Sequence, residues 1–182
     1  MFASAPKRRG RYAVGGRGMV EFGSPLPEVA QVLASGLTKR ELVDWGGVAL
    51  RVTGVAAVAP PSFSSGRAVL RTATPVVMKG SGRDETGERT TRQAWVLPAE
   101  PEWAGYFQQN LVRKAETLKV DPAVSLEAVT WIGPKRSFAV SQGAKPGAAV
   151  EVELTGPPET LQALWSWGLG QANSAGFGWV SA

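Results

Sequence analysis

Hydrophobic and polar positions along the 182-residue chain change period several times, and each change marks an element. Met19 to Phe22 reads as a short strand. Ser24 then offers an N-cap, with Pro25 at the first helical position. Val29, Val32, Leu33 and Leu37 follow at helical spacing, and Gly36 can close that helix. Val48, Leu50 and Val52 alternate, which predicts a strand with one buried face. The alternation slips at Gly54 and resumes at Val55, as a bulge would make it do. With one further strand ahead of Met19, residues 11–58 read strand, strand, helix, strand. The stretch from Pro60 to Gly66 is rich in proline and serine and reads as a linker.

The second half is more complete. Val69 to Met78 is an apolar run rich in β-formers. Lys79 to Arg92 reads as a polar hairpin tip, followed by a short strand from Ala94 to Leu97. Pro101 and Glu102 open a helix, the acid sitting where the helix dipole favours it. Trp103, Phe107, Leu111, Ala115 and Leu118 form its apolar face, a stripe read as core. Leu126 to Ile132, Ser137 to Val140 and Ala148 to Leu154 read as strands. Pro157 and Pro158 start a last helix, and a final strand follows from Phe177 to Val180. This order is that of an α+β, ferredoxin-like fold. The expected organisation is a partial N-terminal ferredoxin-like domain over residues 1–59, a linker over 60–67 and a whole ferredoxin-like domain over 68–182. The N-terminal part lacks the first strand and first helix of a βαββαβ unit. In strand order 4-1-3-2 the first strand is central, so its loss leaves two open edges. A second chain, a rearranged pairing or further sequence must fill that gap.

Composition narrows the chemistry. Hydrophobic content of 43% with seven Trp suffices for a packed core. The chain has no cysteine, which removes disulfides and thiolate metal sites. It has no histidine, which removes the usual zinc sites and every histidine-based acid–base mechanism. No cofactor and no metal are expected. No apolar run is long enough to span a bilayer, and Arg8-Arg9 is not followed by the apolar segment of an export signal. A soluble, cytoplasmic protein without membrane contact is the expectation. The net charge of +5 is concentrated at the start, because Lys7, Arg8, Arg9, Arg11 and Arg17 precede the first acid, Glu21. Without those five, basic and acidic residues balance at 15 each. A basic leading segment on a neutral body suits a phosphate backbone, and a solvated tail is the bland alternative.

The last helix leads into Gly168-Leu169-Gly170-Gln171-Ala172-Asn173-Ser174-Ala175-Gly176-Phe177-Gly178. The order helix, glycine loop, strand is the reverse of a dinucleotide fingerprint, and Asn173 stands where that fingerprint needs glycine. A Walker loop's Gly-Lys-Ser/Thr is absent. Glycines permit positive φ and close approach, and amides released from side-chain cover can point outwards together onto phosphate oxygens. Gln171, Asn173 and Ser174 add neutral hydrogen-bonding groups. A plain turn before a strand is the alternative.

The Gly-apolar-Gly, five residues, Gly-aromatic-Gly pattern resembles the glycine-rich loop of the RAMP superfamily of CRISPR proteins, and within it the CRISPR repeat-RNA (pre-crRNA) endoribonuclease family. Thr74-Pro75-Val76-Val77 resembles the strand that opens that family's second domain. Asn110-Leu111-Val112-Arg113-Lys114 resembles its Asn-Leu-x-x-Lys helix segment. The resemblance covers residues 68–182. It implies tandem ferredoxin-like (RRM-like) domains that bind CRISPR repeat RNA beside other effector subunits, and metal-independent cleavage by 2′-OH attack leaving a 2′,3′-cyclic phosphate. The segment absent here usually carries that family's catalytic histidine. Lys79 and Lys114 are then the candidates for acid–base work, since a lysine can act near neutral pH only when desolvated. For each, a solvated lysine on a phosphate is the alternative. The implied RNA-binding set is Gly168, Gly170, Gln171, Asn173, Ser174, Gly176, Phe177, Gly178, Lys79, Arg83, Arg113, Lys7, Arg8, Arg9 and Arg11. Exposed aromatic rings could stack on unpaired bases. A non-catalytic scaffold subunit of an effector complex is the competing role.

Overall fold

A computed structural model describes residues 18–44, 49–83, 86–140 and 143–180. The chain divides into two compact units, Met1–Val58 and Ala59–Ala182.

In the first unit, helix α1 spans Pro27–Thr38, and strands β1 (Leu42–Asp44) and β2 (Ala49–Arg51) pair antiparallel. Met19 to Phe22 forms no strand. Met19 is 81% exposed and has no neighbouring strand to complete its ladder. The helix starts two residues later than expected. Ser24 Oγ accepts from the Leu26 amide in a turn ahead of the helix, and Pro27 takes the first helical position. Gly36 lies inside the last turn rather than closing it. The alternating run reduces to β2, exposed at all three positions, and no strand resumes after Gly54. Val48 lies outside the described residues. No residue of α1 is buried, and Val32 is 71% exposed.

The second unit holds the core. Strands β3 (Arg67–Arg71), β9 (Val150–Thr155) and β6 (Ser125–Ile132) form an antiparallel sheet in the order β3-β9-β6. Between them in sequence come the hairpin β4 (Met78–Arg83) and β5 (Arg89–Val96), helix α2 (Trp103–Leu118), and the hairpin β7 (Arg136–Val140) and β8 (Gly143–Gly147). Helix α3 (Pro158–Trp167) follows, and the chain returns to the sheet as a bridge between Thr72 and Val180. The sheet order is therefore ferredoxin-like, with the C-terminal stretch beside β3 in the fourth-strand place. That stretch is no regular strand. It is tied by the Ala73 amide to Trp179 O at 2.8 Å, the Trp179 amide to Thr74 Oγ1 at 2.8 Å and the Gly178 amide to Pro75 O at 2.9 Å.

Pro75 also splits the expected Val69–Met78 run. β3 stops at Arg71, and Val76 and Val77 make only isolated bridges before β4. The hairpin strands extend through residues read as a polar tip, because ladder pairing between β4 and β5 holds the backbone extended there. β8 was not expected, and Pro146 occupies it in a two-stranded ribbon where a missing amide costs little. Side chains alternate in β3 and β9, so Ala68, Leu70, Val150, Val152 and Leu154 point inwards. They meet Trp103, Phe107 and Leu111 of α2 and Leu161 and Leu164 of α3. Trp103 and Phe107 stack with centroids 4.4 Å apart.

Candidate functional site

The glycine loop begins where α3 ends. Gly168, Gly170, Gly176 and Gly178 all have positive φ. Two of them cross: the Leu169 amide donates to Gly178 O at 2.8 Å, and a Cβ on Gly178 would collide with Leu169 O. A Cβ on Gly168 would lie 2.7 Å from Gly178 O. These glycines are therefore required by the loop's own closure.

The amides do not project outwards together. Those of Gly168, Leu169, Gln171, Ala175, Gly176 and Gly178 all donate within the unit. Gln171 is drawn to the start of β4, its amide donating to Val77 O at 3.0 Å and its Oε1 accepting from the Lys79 amide at 3.2 Å. Asn173 Nδ2 donates to Leu169 O and Phe177 O at 3.1 and 2.9 Å and pins the loop across its width. Phe177 is buried and meets the Phe138 ring edge-on at 5.9 Å, so it packs instead of offering a stacking face. Ser174 and Gly176 remain exposed at the tip, and a Cβ on Gly176 would meet nothing.

Lys114 holds the loop to α2. Its Nζ donates to Gly168 O and to Asn173 Oδ1, each at 2.6 Å, and lies 4.6 Å from the Trp167 ring centroid. The residue is buried, and burial lowers its pKa from 10.5 to about 7. A neutral amine keeps two N–H groups, so both loop contacts survive loss of the charge. Lys79 is placed differently. It is exposed on β4, with Nζ 5.0 Å from the Trp95 centroid.

Lys79, Arg113 and Gln171 all border one open cleft of about 520 Å³ between β4, α2 and the loop, the Lys79 ammonium lying over Trp95 beside it. Met78, Gly80, Ser81, Tyr106, Gln109 and Asn110 complete its lining, and no acidic side chain is among them. Tyr106 lies against Gly80, where a Cβ would come within 2.7 Å of the ring, and its hydroxyl accepts from the Ser81 amide at 2.9 Å. Asn110 is 8% exposed, and its Oδ1 is buried without a hydrogen-bond partner. Tyr106, Asn110 and Arg113 recur at i, i+4 and i+7 on α2, beside the apolar stripe. That second stripe was the available signal for this face. The sequence reading missed Ser81, Tyr106 and Gln109, and took Asn110 only as part of a motif.

The opposite face of the sheet has another character. Arg67, Val69 and Arg71 alternate outward on β3, beside Glu151 and Glu153 of β9. Arg71 pairs with Glu151 at 3.6 Å and lies 4.2 Å over the Trp131 ring, which covers the aromatic surface there. The Arg83 side chain lies outside the described residues, as do Lys7, Arg8, Arg9 and Arg11. Among the described residues no His, Cys, Asp or Glu cluster suits a metal ion, and no helix is long and apolar enough to cross a membrane.

The fold has solved counterparts. A Cas6-related protein from Pyrococcus furiosus is 16% identical with a TM-score of 0.66. A RAMP protein that binds different RNA substrates is 16% identical with a TM-score of 0.70, and a CRISPR-associated protein Cas6 is 20% identical with a TM-score of 0.70. Each match covers 87% of this chain and 65% of the other, so the chain spans just under two thirds of these relatives. At such identity the likeness is one of fold. No curated protein sequence matches the chain. The family model for CRISPR-associated protein Cas6, C-terminal, matches residues 58–182, which contain the sheet, the cleft and the glycine loop, and the chain belongs to that family.

Proposed function

We propose that this chain binds the repeat-derived part of CRISPR RNA through the face where β4, α2 and the glycine loop meet. The observation that carries this reading is the cleft, which gathers Lys79, Arg113 and Gln171 with no acid in its lining. Two cations beside carboxamides, hydroxyls and a tyrosine ring are the groups that hold a polynucleotide by its phosphates and unpaired bases. On the outer sheet face Glu151 and Glu153 offset Arg67 and Arg71, so positive charge does not accumulate there. Kinship to Cas6 makes CRISPR RNA the polynucleotide of choice. The basic segment with Lys7, Arg8, Arg9 and Arg11 adds non-specific attraction.

Processing of precursor RNA is the second reading. Lys114 favours it by a pKa near neutrality, but its Nζ is already committed to Gly168 and Asn173. Its geometry is that of a group that positions the loop. Further CRISPR subunits, one of them supplying a strand and helix to the N-terminal unit, are supported by the uncovered Val29, Val32 and Leu33 of α1. A scaffold role would use that surface alone.

The test is titration of the full chain with repeat RNA at several salt concentrations, without added metal, followed by analysis of RNA 3′ ends. Salt-sensitive binding is expected, and absence of binding overturns the reading. A 2′,3′-cyclic phosphate at one position would add cleavage to binding.

A further inference from the structure

We infer that the cleft is a subsite for one unpaired nucleotide, whose base edge is read by the Asn110 carboxamide and whose phosphate lies on Arg113 and Lys79. This inference rests on the RNA-binding reading and adds to it a place, a ligand unit and a residue that selects. Three observations carry it.

The first is an unmet hydrogen-bonding capacity. Asn110 is buried at 8% exposure, lines the cleft, and leaves Oδ1 enclosed without a partner, so that a turn of the carboxamide about its soft last torsion presents this atom to a ligand. Buried polar groups are otherwise paired in folded proteins, because leaving one unpaired costs its full desolvation. The carboxamide has a donor on one atom and an acceptor on the other. A nucleobase edge carries the complementary pair, and bidentate carboxamide–base contacts are a standard means of base reading.

The second is the lining. Arg113 is exposed one helical turn beyond Asn110 and makes no salt bridge among the described residues. Lys79 stands on β4 within the same lining. A cleft of about 520 Å³ is within the range of sites for single small molecules. The charge favours an anion, and the carboxamides and the Tyr106 ring suit a planar heterocycle.

The third is rigidity. The Tyr106 ring is seated against Gly80, and its hydroxyl is tied to the Ser81 amide. Gln171 is bonded to the backbone at both Val77 and Lys79. The walls are therefore held before any ligand arrives, which lowers the ordering cost of binding.

The test pairs a series of single-stranded repeat RNAs, each with one abasic position, with the full-length wild-type chain and the Asn110→Leu variant. Leucine has nearly the shape of asparagine and removes the unmet polar group, so the variant should fold with unchanged or higher thermal stability. For the wild type, one abasic position should weaken binding about tenfold. For Asn110→Leu the intact RNA should already bind about tenfold more weakly, and the same abasic position should cost nothing more. Identical abasic profiles in the two proteins would overturn the inference and leave Arg113 and Lys79 as plain phosphate contacts. Failure of the wild type to bind any of the RNAs would instead overturn the RNA-binding reading beneath it.

Discussion

Lys114 shows how one side chain can be decisive for a loop, through its bonds to Gly168 O and Asn173 Oδ1. Its pKa is lowered from 10.5 to about 7 by burial, so the folded state carries fewer protons than the unfolded state between those values. Stability therefore rises with pH across that window, by up to about 1.4 kcal/mol per pH unit, and is lost as pH falls back towards 7. The wild-type denaturant midpoint should increase from pH 7 to pH 9. Lys114→Met should flatten that rise and lower stability at pH 9, by roughly 1–3 kcal/mol for each loop acceptor left unpaired. The glycines divide in the same way. Gly178→Ala forces a Cβ onto Leu169 O and should disrupt the loop. Gly176→Ala meets only open space and should cost about 1–2 kcal/mol, from its positive φ. Chemical denaturation of the two variants checks the contrast.

Helix α2 carries two functions on adjoining faces. Trp103, Phe107, Leu111 and Ala115 pack the core, while Tyr106, Asn110 and Arg113 line the cleft. The helix is fixed by its apolar stripe, and its polar stripe is thereby aimed. If Arg113 and Lys79 each contact one phosphate, Arg113→Ala and Lys79→Ala should each reduce the slope of log affinity against log salt by about one. Salt titrations of both variants would show it, and an unchanged slope would remove that residue from the RNA contact.

Over the whole molecule, the packed core is confined to one unit. Every buried residue among those described lies at or beyond Phe63. α1 buries none of its residues, and β1 and β2 pair only with each other. A fragment of residues 59–182 should therefore fold alone, with a denaturant midpoint close to that of the corresponding transition in the full chain. Circular dichroism during urea unfolding tests this, and an unfolded fragment would show that residues 1–58 contribute to the core.

Much of the architecture is written in local pattern. The stripe from Trp103 to Ala115 and the alternation in Val150, Val152 and Leu154 each name an element and its buried face, because period alone selects helix or strand. The glycine spacing and the Asn110–Lys114 segment pointed to the family from the chain alone, as did the ferredoxin-like order of the C-terminal elements. Local pattern failed where an element depends on a distant partner. Met19 to Phe22 has strand composition but no ladder. The strand expected from Phe177 to Val180 shrinks to one bridge at Val180, because Gly178 and Pro75 hold the chain in a turn. The purpose of Lys114 was equally hidden. Nothing in its neighbours along the chain indicates a buried amine, since Gly168 and Asn173 lie 54 and 59 residues away. The cleft, too, joins residues from positions 78 to 171, and the unmet acceptor in its wall arises only because packing around α2 encloses the Asn110 Oδ1. Periodicity acts between near neighbours, so it survives in the sequence. Desolvation and convergence act across the fold, and they arise only when the chain has closed.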